Sequence, residues 1–315
     1  MNAKIRSVSI PSLSKQMSAL TLNLSSRPGA PRAQSLDRFF AGGGNTLHLH
    51  GEGGEEESRK AAGEWIATTG SRQAMFVCTQ ICHEGWDEAA QVEIDRLTPA
   101  AIVEDIAHDL DLLQTDYLDF VYFSCDSPKA PVEPLMDALQ EQRRVGRVRS
   151  FGARNWSAER INQANGYSRR QNYLGFSAIV TTELSLGQPN EPLWPGYTPF
   201  DNGLLAAIRN WDLTVFAWLS DFNQALFIPG GYDKLDDRAA RRWHSPANQE
   251  ILNRAIEFGR DHDLDERQVN VSFVLNQPFP VVGIVTDDPA VPLDHYVAAS
   301  QVHLPSNDIS YLQFG

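Results

Sequence analysis

The sequence predicts a (β/α)8 barrel, a TIM barrel in which parallel strands alternate with helices. Strand-like and helix-like segments alternate along the chain, and eight strands can be counted. The chain has 315 residues, and a barrel of this kind typically needs about 250. Because 42% of the residues are apolar, one large core can be filled. We therefore expect one barrel domain over residues 1–315, with a short N-terminal β-element.

The elements of the first half follow from apolar alternation and from helix-capping residues. Thr98 precedes Pro99, and a threonine N-cap before a proline at the first helical position is typical of a helix start. Glycines at 42–44 mark the end of the first helix. We predict strands at 18–24, 46–50, 75–79 and 118–123, and helices at 35–41, 55–68, 99–113 and 133–145.

The second half repeats the alternation, and Ser157 is the predicted N-cap of its first helix. Two long connections, 187–202 and 227–247, are rich in Pro, Asn and Gly. Long loops that follow barrel strands usually cover the active-site face. We predict strands at 148–152, 177–181, 213–218 and 281–285, and helices at 157–172, 204–210, 248–262 and 265–277.

Composition and charge indicate the cellular compartment and exclude some classes of binding partner. A formal net charge of −13 opposes nonspecific binding to nucleic acid or to anionic membranes, so neither is expected as a partner. The three cysteines, Cys78, Cys82 and Cys125, give no disulfide framework and suit a reducing cytosol. No apolar run approaches the roughly 18 residues of a spanning helix, and the N-terminus has no apolar leader region. We expect a cytoplasmic protein.

Four segments of the sequence resemble the aldo-keto reductases, in the order and spacing of that family. The resemblance supports the barrel and covers roughly residues 8–312. It also implies reduction of a carbonyl by NADPH, with a tyrosine as the general acid, a lysine and an aspartate that tune its pKa, and a histidine that orients the substrate. The segments are LQTDYLDFVY (113–122), GRVRSFGARNWSAERI (146–161), TVFAW (214–218) and QPFPVV (277–282).

All four positions that the resemblance assigns to this tetrad hold other residues. His48 stands where the aspartate would be, and Gly53 stands where the tyrosine would be, so the proton donor is missing. Gln80 replaces the lysine and Ser124 replaces the histidine. We therefore expect that NADPH-dependent carbonyl reduction is lost.

The positions that the resemblance assigns to the cofactor also differ. Arg154 and Asn155 stand where a Ser-Asn pair would bind the nicotinamide amide, and Thr181 replaces a glutamine. Asp287 and Asp288 stand where a basic residue would bind the 2′-phosphate. No cofactor is therefore expected, and NADP is the alternative. Arg154 has two interpretations: it fills the space of the nicotinamide, or it binds an anionic ligand.

Polar residues at the predicted strand ends define a candidate pocket for a small organic molecule. His48 is the candidate acid/base residue, since a histidine with a pKa of about 6.5 serves either role at neutral pH. His48 and His50 share a strand face, but an H-x-H pair alone is more often a hydrogen-bonded pocket pair than a metal site, so no metal is expected. The candidate binding residues are His50, Gln80, Ser124, Arg154, Asn155 and Trp218.

Three functions remain open from the sequence. The first is a pocket with cofactor-independent acid/base chemistry, such as isomerisation, elimination or cyclisation. The second is a noncatalytic ligand-binding or regulatory protein. The third is a conventional NADP-dependent reductase. For Trp218 alone, packing in the core or in a loop is the alternative to a role in the pocket.

Overall fold

The computed structural model shows a closed barrel of eight parallel strands, which confirms the predicted fold class. It describes residues 4–10, 13, 15–24, 30–50, 56–83, 85–87, 92–193, 197–219, 224–228, 230–286 and 292–315, with only the backbone at 85–87 and 92–94. Around the barrel, the strands are β3 (Leu20–Asn23), β4 (Thr46–Leu49), β5 (Phe76–Ile81), β8 (Leu118–Phe123), β9 (Val148–Arg154), β10 (Ala178–Thr181), β11 (Thr214–Trp218) and β12 (Val281–Thr286).

Two antiparallel hairpins and the helices surround the barrel. One hairpin is β1 (Ser7–Ser9) with β2 (Gln16–Ser18), and the other is β6 (Gly85–Asp87) with β7 (Val92–Ile94). The helices are α1 (Arg32–Ala41), α2 (Glu56–Thr69), α3 (Pro99–Leu112), α4 (Val132–Arg144), α5 (Ala158–Arg170), α6 (Asn202–Asn210), α7 (Gly231–Lys234), α8 (Asp237–Trp243), α9 (Pro246–His262), α10 (Glu266–Leu275), α11 (Leu293–Ser300) and α12 (Ser306–Phe314).

Two of the predicted helices begin at the predicted N-cap residues. The Thr98 hydroxyl accepts a hydrogen bond from the amide of Ala101 at the start of α3. The Ser157 hydroxyl accepts one from the amide of Arg160 at the start of α5. Each cap satisfies an amide that has no partner within its helix, which fixes where the helix begins.

Helix α8 is a departure from the prediction, which treated 227–247 as a loop. The Asp236 carboxylate accepts hydrogen bonds from the amides of Arg238 and Ala239 and starts this helix. The helix then buries Arg242 and Trp243. Gly230 and Gly231 suggested a long irregular segment, whereas Gly231 begins the short helix α7, and α8 follows after two intervening residues.

The hairpin β1–β2 closes the amino-terminal end of the barrel. Ile10 and Met17 are fully buried in one cluster with the interior residues Phe76 and Phe120. Lys15 holds the hairpin in place through an ion pair of 2.8 Å with Asp119. Since this end is filled with side chains, a site inside the barrel has to be reached from the carboxyl-terminal mouth.

Candidate functional site

Strands β4, β5 and β8 bring three buried polar side chains together inside the barrel. The hydroxyl of Tyr122 lies 2.7 Å from Nε2 of His48 and 3.0 Å from Oε1 of Gln80. All three residues are at most 1% exposed. They meet because Gln80 and Tyr122 are register partners on neighbouring strands, and β4 pairs with the other side of β5.

The same network extends from Gln80 to the strand ends. Nε2 of Gln80 donates a hydrogen bond to the Ser124 hydroxyl at 2.6 Å and lies 3.3 Å from Nδ1 of His83. The structure therefore connects His48, Gln80 and Ser124, which the sequence analysis placed together. Tyr122 links the first two and was not singled out as a site residue. Its spacing of two from Ser124 on a strand is the signal that would have found it.

The hydrogen bonds around Tyr122 have a direction, and burial decides the charge of His48. Oε1 of Gln80 only accepts, so the Tyr122 hydroxyl donates to it, and Nε2–H of His48 donates to the Tyr122 oxygen. Burial lowers the pKa of His48 well below 6.5, and the positive charges of His50 and Arg154 lower it further. The expectation that His48 has an ordinary pKa is wrong, because removing an imidazolium from water is costly. His48 is neutral at neutral pH.

His83 shares this environment, and burial is the main cause that lowers its pKa to about 4. Because the folded-state pKa lies below the ordinary 6.5, the stabilisation by neutral His83 is complete above pH 6.5 and is lost as the pH falls toward 4. We expect wild type to lose on the order of 2 kcal/mol more than His83→Asn between pH 7.5 and 4.5. Urea unfolding at both pH values measures this difference.

The matched control for that prediction is His303→Asn, at an exposed histidine. Because this side chain is exposed, its replacement should leave the unfolding free energy within about 0.5 kcal/mol of wild type at both pH values. If wild type and His83→Asn show the same change in unfolding free energy with pH, the neutral buried state assigned to His83 is wrong.

A second cluster at the mouth is centred on Arg154, which is 7% exposed. Its Nη1 lies 3.1 Å from Nε2 of His50, and its Nη2 donates a hydrogen bond of 2.8 Å to the Tyr197 hydroxyl. The Trp218 ring stands edge-on to both His48 and His50, with ring centroids 5.1 and 5.5 Å away. Tyr197, from the long connection after β10, is a further site residue that the sequence analysis missed.

Asn155 follows Arg154 in the chain, and its hydrogen bonds go to the loop residue Thr198. Its backbone is left-handed, with φ of 59°. Its side-chain oxygen accepts a hydrogen bond from the amide of Thr198, and its carbonyl accepts one of 3.1 Å from the Thr198 hydroxyl. The structure therefore uses Asn155 to hold the loop that carries Tyr197.

A small cavity of about 20 Å³, partly open to solvent, lies at the carboxyl ends of β9 and β10. Arg154, Asn155, Thr181 and Tyr197 supply polar groups to its lining. The Thr181 hydroxyl accepts a hydrogen bond of 3.0 Å from the amide of Glu183. The other lining residues are Ala153, Trp156, Ile179, Val180, Thr182, Glu183, Thr198 and Leu204.

Several predicted site positions cannot be placed. Gly53, Asp287 and Asp288 lie outside the described residues. Within the ranges that are described, no three His, Cys, Asp or Glu side chains form a group able to hold a metal ion. No helix in those ranges has the length and apolarity to cross a membrane.

The fold and the mouth define a class of protein: a parallel eight-stranded barrel with its polar side chains gathered at the carboxyl ends of the strands. Comparison with known sequences identifies the family. The profile described as the Aldo/keto reductase family matches residues 33–313. The chain therefore belongs to the aldo/keto reductase family.

Individual relatives are distant. An aldo-keto reductase from Strobilurus tenacellus is 23% identical over 301 residues, which cover 89% of this chain and 79% of that protein. An aldo-keto reductase from Aspergillus calidoustus is 28% identical over 147 residues, or 45% of this chain and only 37% of its own length. The structure of a glycerol dehydrogenase from Gluconobacter oxydans superposes with a TM-score of 0.73 at 17% identity, covering 97% and 93% of the two chains. That similarity is one of fold.

Proposed function

We propose that this chain is an aldo/keto reductase family barrel that binds a small organic molecule at its mouth and does not transfer hydride from NADPH. The observation that supports this proposal most is the hydrogen-bonded chain His48–Tyr122–Gln80–Ser124. Three of its members occupy positions that the family resemblance assigns to catalytic groups. None of those three is a lysine, a carboxylate or a phenol, so the tuned proton donor of that chemistry is missing.

Tyr122 does not restore the proton donor. Its side chain is fully buried, and its hydroxyl already contacts both His48 and Gln80. A general acid has to come within hydrogen-bond reach of the reacting oxygen, either directly or through one water. A phenol that is enclosed by its own hydrogen-bond partners does not satisfy that requirement.

The described residues at the nicotinamide positions do not fit the cofactor. Arg154 places a long cationic side chain where the resemblance expects a small hydroxyl group. The Asn155 side-chain oxygen is engaged by Thr198, and the Thr181 hydroxyl by the backbone of Glu183. A nicotinamide amide would have to displace these contacts, so we derive no reaction step through NADPH.

Between the two remaining interpretations, ligand binding is better supported than acid/base catalysis. A catalytic acid or base works best when its pKa lies near the working pH, whereas burial holds the pKa of His48 well below 6.5. Both nitrogens of His48 also face protein groups, since Nδ1 lies 3.3 Å from the Asn23 side chain. We propose a cytoplasmic binding protein, in keeping with its three cysteines, which form no disulfide within the described part of the chain.

A conventional NADP-dependent reductase is the second candidate, because both relatives described above are named aldo-keto reductases. Calorimetric titration with NADPH and an aldehyde panel separate the two candidates. We expect no saturable NADPH binding below about 1 mM and no aldehyde-dependent NADPH oxidation above background, since losing even one acid/base group costs about 10²–10⁴ in rate. An active family member assayed in parallel is the positive control.

The opposite result would be clear. A dissociation constant for NADPH in the low micromolar range, together with aldehyde reduction that is lost when Arg154 or Gln80 is replaced, would establish the second candidate. It would also show that the hydrogen-bonded chain at the mouth rearranges when the cofactor binds.

A further inference from the structure

We propose that Arg154 is the anion-binding group of the mouth and that the ligand is a small organic carboxylate with an apolar body. This inference rests on the proposed function, because it names the ligand class for the same mouth. It depends on three observations: a buried cation without a described counter-ion, a buried hydrogen-bond donor without a described acceptor, and apolar walls in the adjoining cavity.

Arg154 differs from two other buried arginines, because no carboxylate of the described residues lies against it. Arg59 faces Asp109 at 2.8 Å, and Arg242 faces Glu183 at 3.1 Å. Within the described residues, the guanidinium of Arg154 bonds only to the ring of His50 and the phenol of Tyr197, and neither partner is a carboxylate. An uncompensated buried charge is destabilising, so a position of this kind is typical of a site where the ligand supplies the opposite charge.

The cluster also contains a buried donor that has no acceptor among the described residues. Nε of Arg154 is buried without a hydrogen-bond partner among the described residues. Nε2 of His83, whose ring lies 6.2 Å from that of His50, is buried and without a described partner as well. Since a carboxylate only accepts hydrogen bonds, it complements such a set of donors, and charge-assisted bonds from a guanidinium are among the strongest.

The adjoining cavity indicates the rest of the ligand. Arg154 and Tyr197 supply polar groups to one part of the lining, while Ile179, Val180 and Leu204 supply apolar surface. Pockets for small molecules typically combine apolar walls with a few polar groups that fix orientation. Since the cavity itself has a volume of only about 20 Å³, a carboxylate held at Arg154 would have its hydrocarbon part against these apolar groups where the cavity opens to solvent.

Calorimetric titration of the full chain with butyrate and benzoate, in parallel with butyramide and benzamide, tests the inference. The amides keep the shape and lose the charge. We expect each carboxylate to bind at least about ten-fold more tightly than its amide, as one charge-assisted hydrogen bond to a buried arginine provides. Arg154→Met should lose this preference, Arg154→Lys should keep part of it, and Arg143→Met, at an exposed arginine, should keep all of it.

Melting temperatures show whether Arg154 has a merely structural role. If Arg154 binds a ligand, ligand-free Arg154→Met should melt at the same temperature as wild type or higher, because an unpaired buried charge is removed. A variant that melts much lower and still distinguishes carboxylates from amides would overturn the inference.

Two further results would overturn the anion site, and neither of them bears on the proposed loss of hydride transfer. If amides and carboxylates bind equally well, the pocket exists but Arg154 does not select an anion. If none of the four probes binds, the carboxylate assignment is wrong. Neither outcome depends on NADPH, so failure of this inference is distinguishable from failure of the proposed loss of hydride transfer.

Discussion

Replacing Arg242 with methionine is expected to lower the free energy of unfolding by about 3–5 kcal/mol. The guanidinium of Arg242 lies 3.1 Å from the Glu183 carboxylate, and the two side chains are only 2% and 3% exposed. Without Arg242, Glu183 would remain as a buried charge with no cation beside it. Removing one partner of a buried ion pair is more costly than losing a hydrogen bond, because the remaining charge has lost its water.

The effect should extend to the loops over the mouth. Nη1 of Arg242 donates a hydrogen bond of 2.8 Å to the carbonyl of Glu191, and Glu183 accepts one of 3.3 Å from the amide of Leu193. The ion pair thus connects α8 with the end of β10 and with the connection 187–202. We expect this region to lose hydrogen-exchange protection before the barrel strands do.

Chemical unfolding of three variants measures this prediction. The double variant Arg242→Met/Glu183→Gln should recover most of the loss, because no isolated charge remains. Arg144→Met removes an equivalent contact, of 2.6 Å to Glu141, from a surface where both side chains are more than half exposed, and it should cost less than about 1 kcal/mol. A loss below 1 kcal/mol for Arg242→Met, or no recovery in the double variant, would contradict it.

Periodicity and capping predicted most of the fold because both are local. The strand expected at 118–123 coincides with β8, and Thr98 and Ser157 cap their helices as expected. Helix α8 was missed because its evidence is not local. Its buried face packs Trp243 into the core and holds Arg242 against Glu183, 59 residues earlier in the chain.

The candidate site was predictable in part for a topological reason. Parallel strands bring their carboxyl ends to one edge, so His48, Gln80 and Ser124 were expected near one another, and hydrogen bonds through Tyr122 join them. The protonation state of His48 was not predictable. It depends on complete burial and on Arg154, which is 106 positions further along the chain.

Replacing Tyr122 with phenylalanine is expected to lower the free energy of unfolding by about 2–4 kcal/mol. The change removes one oxygen and leaves two buried groups, Nε2–H of His48 and Oε1 of Gln80, without their partner. Each buried group left unsatisfied costs about 1–3 kcal/mol. Tyr311→Phe, which removes a 3.2 Å hydrogen bond to Glu257 at the surface, should cost less than about 1 kcal/mol and serves as the control.

The same variant separates the two polar clusters of the mouth. Arg154 bonds to His50 and Tyr197 and has no hydrogen bond with Tyr122, so Tyr122→Phe should keep the expected preference for carboxylates over amides within about two-fold. A double-mutant cycle of Tyr122→Phe with Gln80→Leu should show a coupling energy of about 0.5–3 kcal/mol, since the two side chains share a hydrogen bond. If Tyr122→Phe leaves stability unchanged, water or another side chain reaches His48, and the neutral, enclosed state that argues against acid/base catalysis would no longer hold.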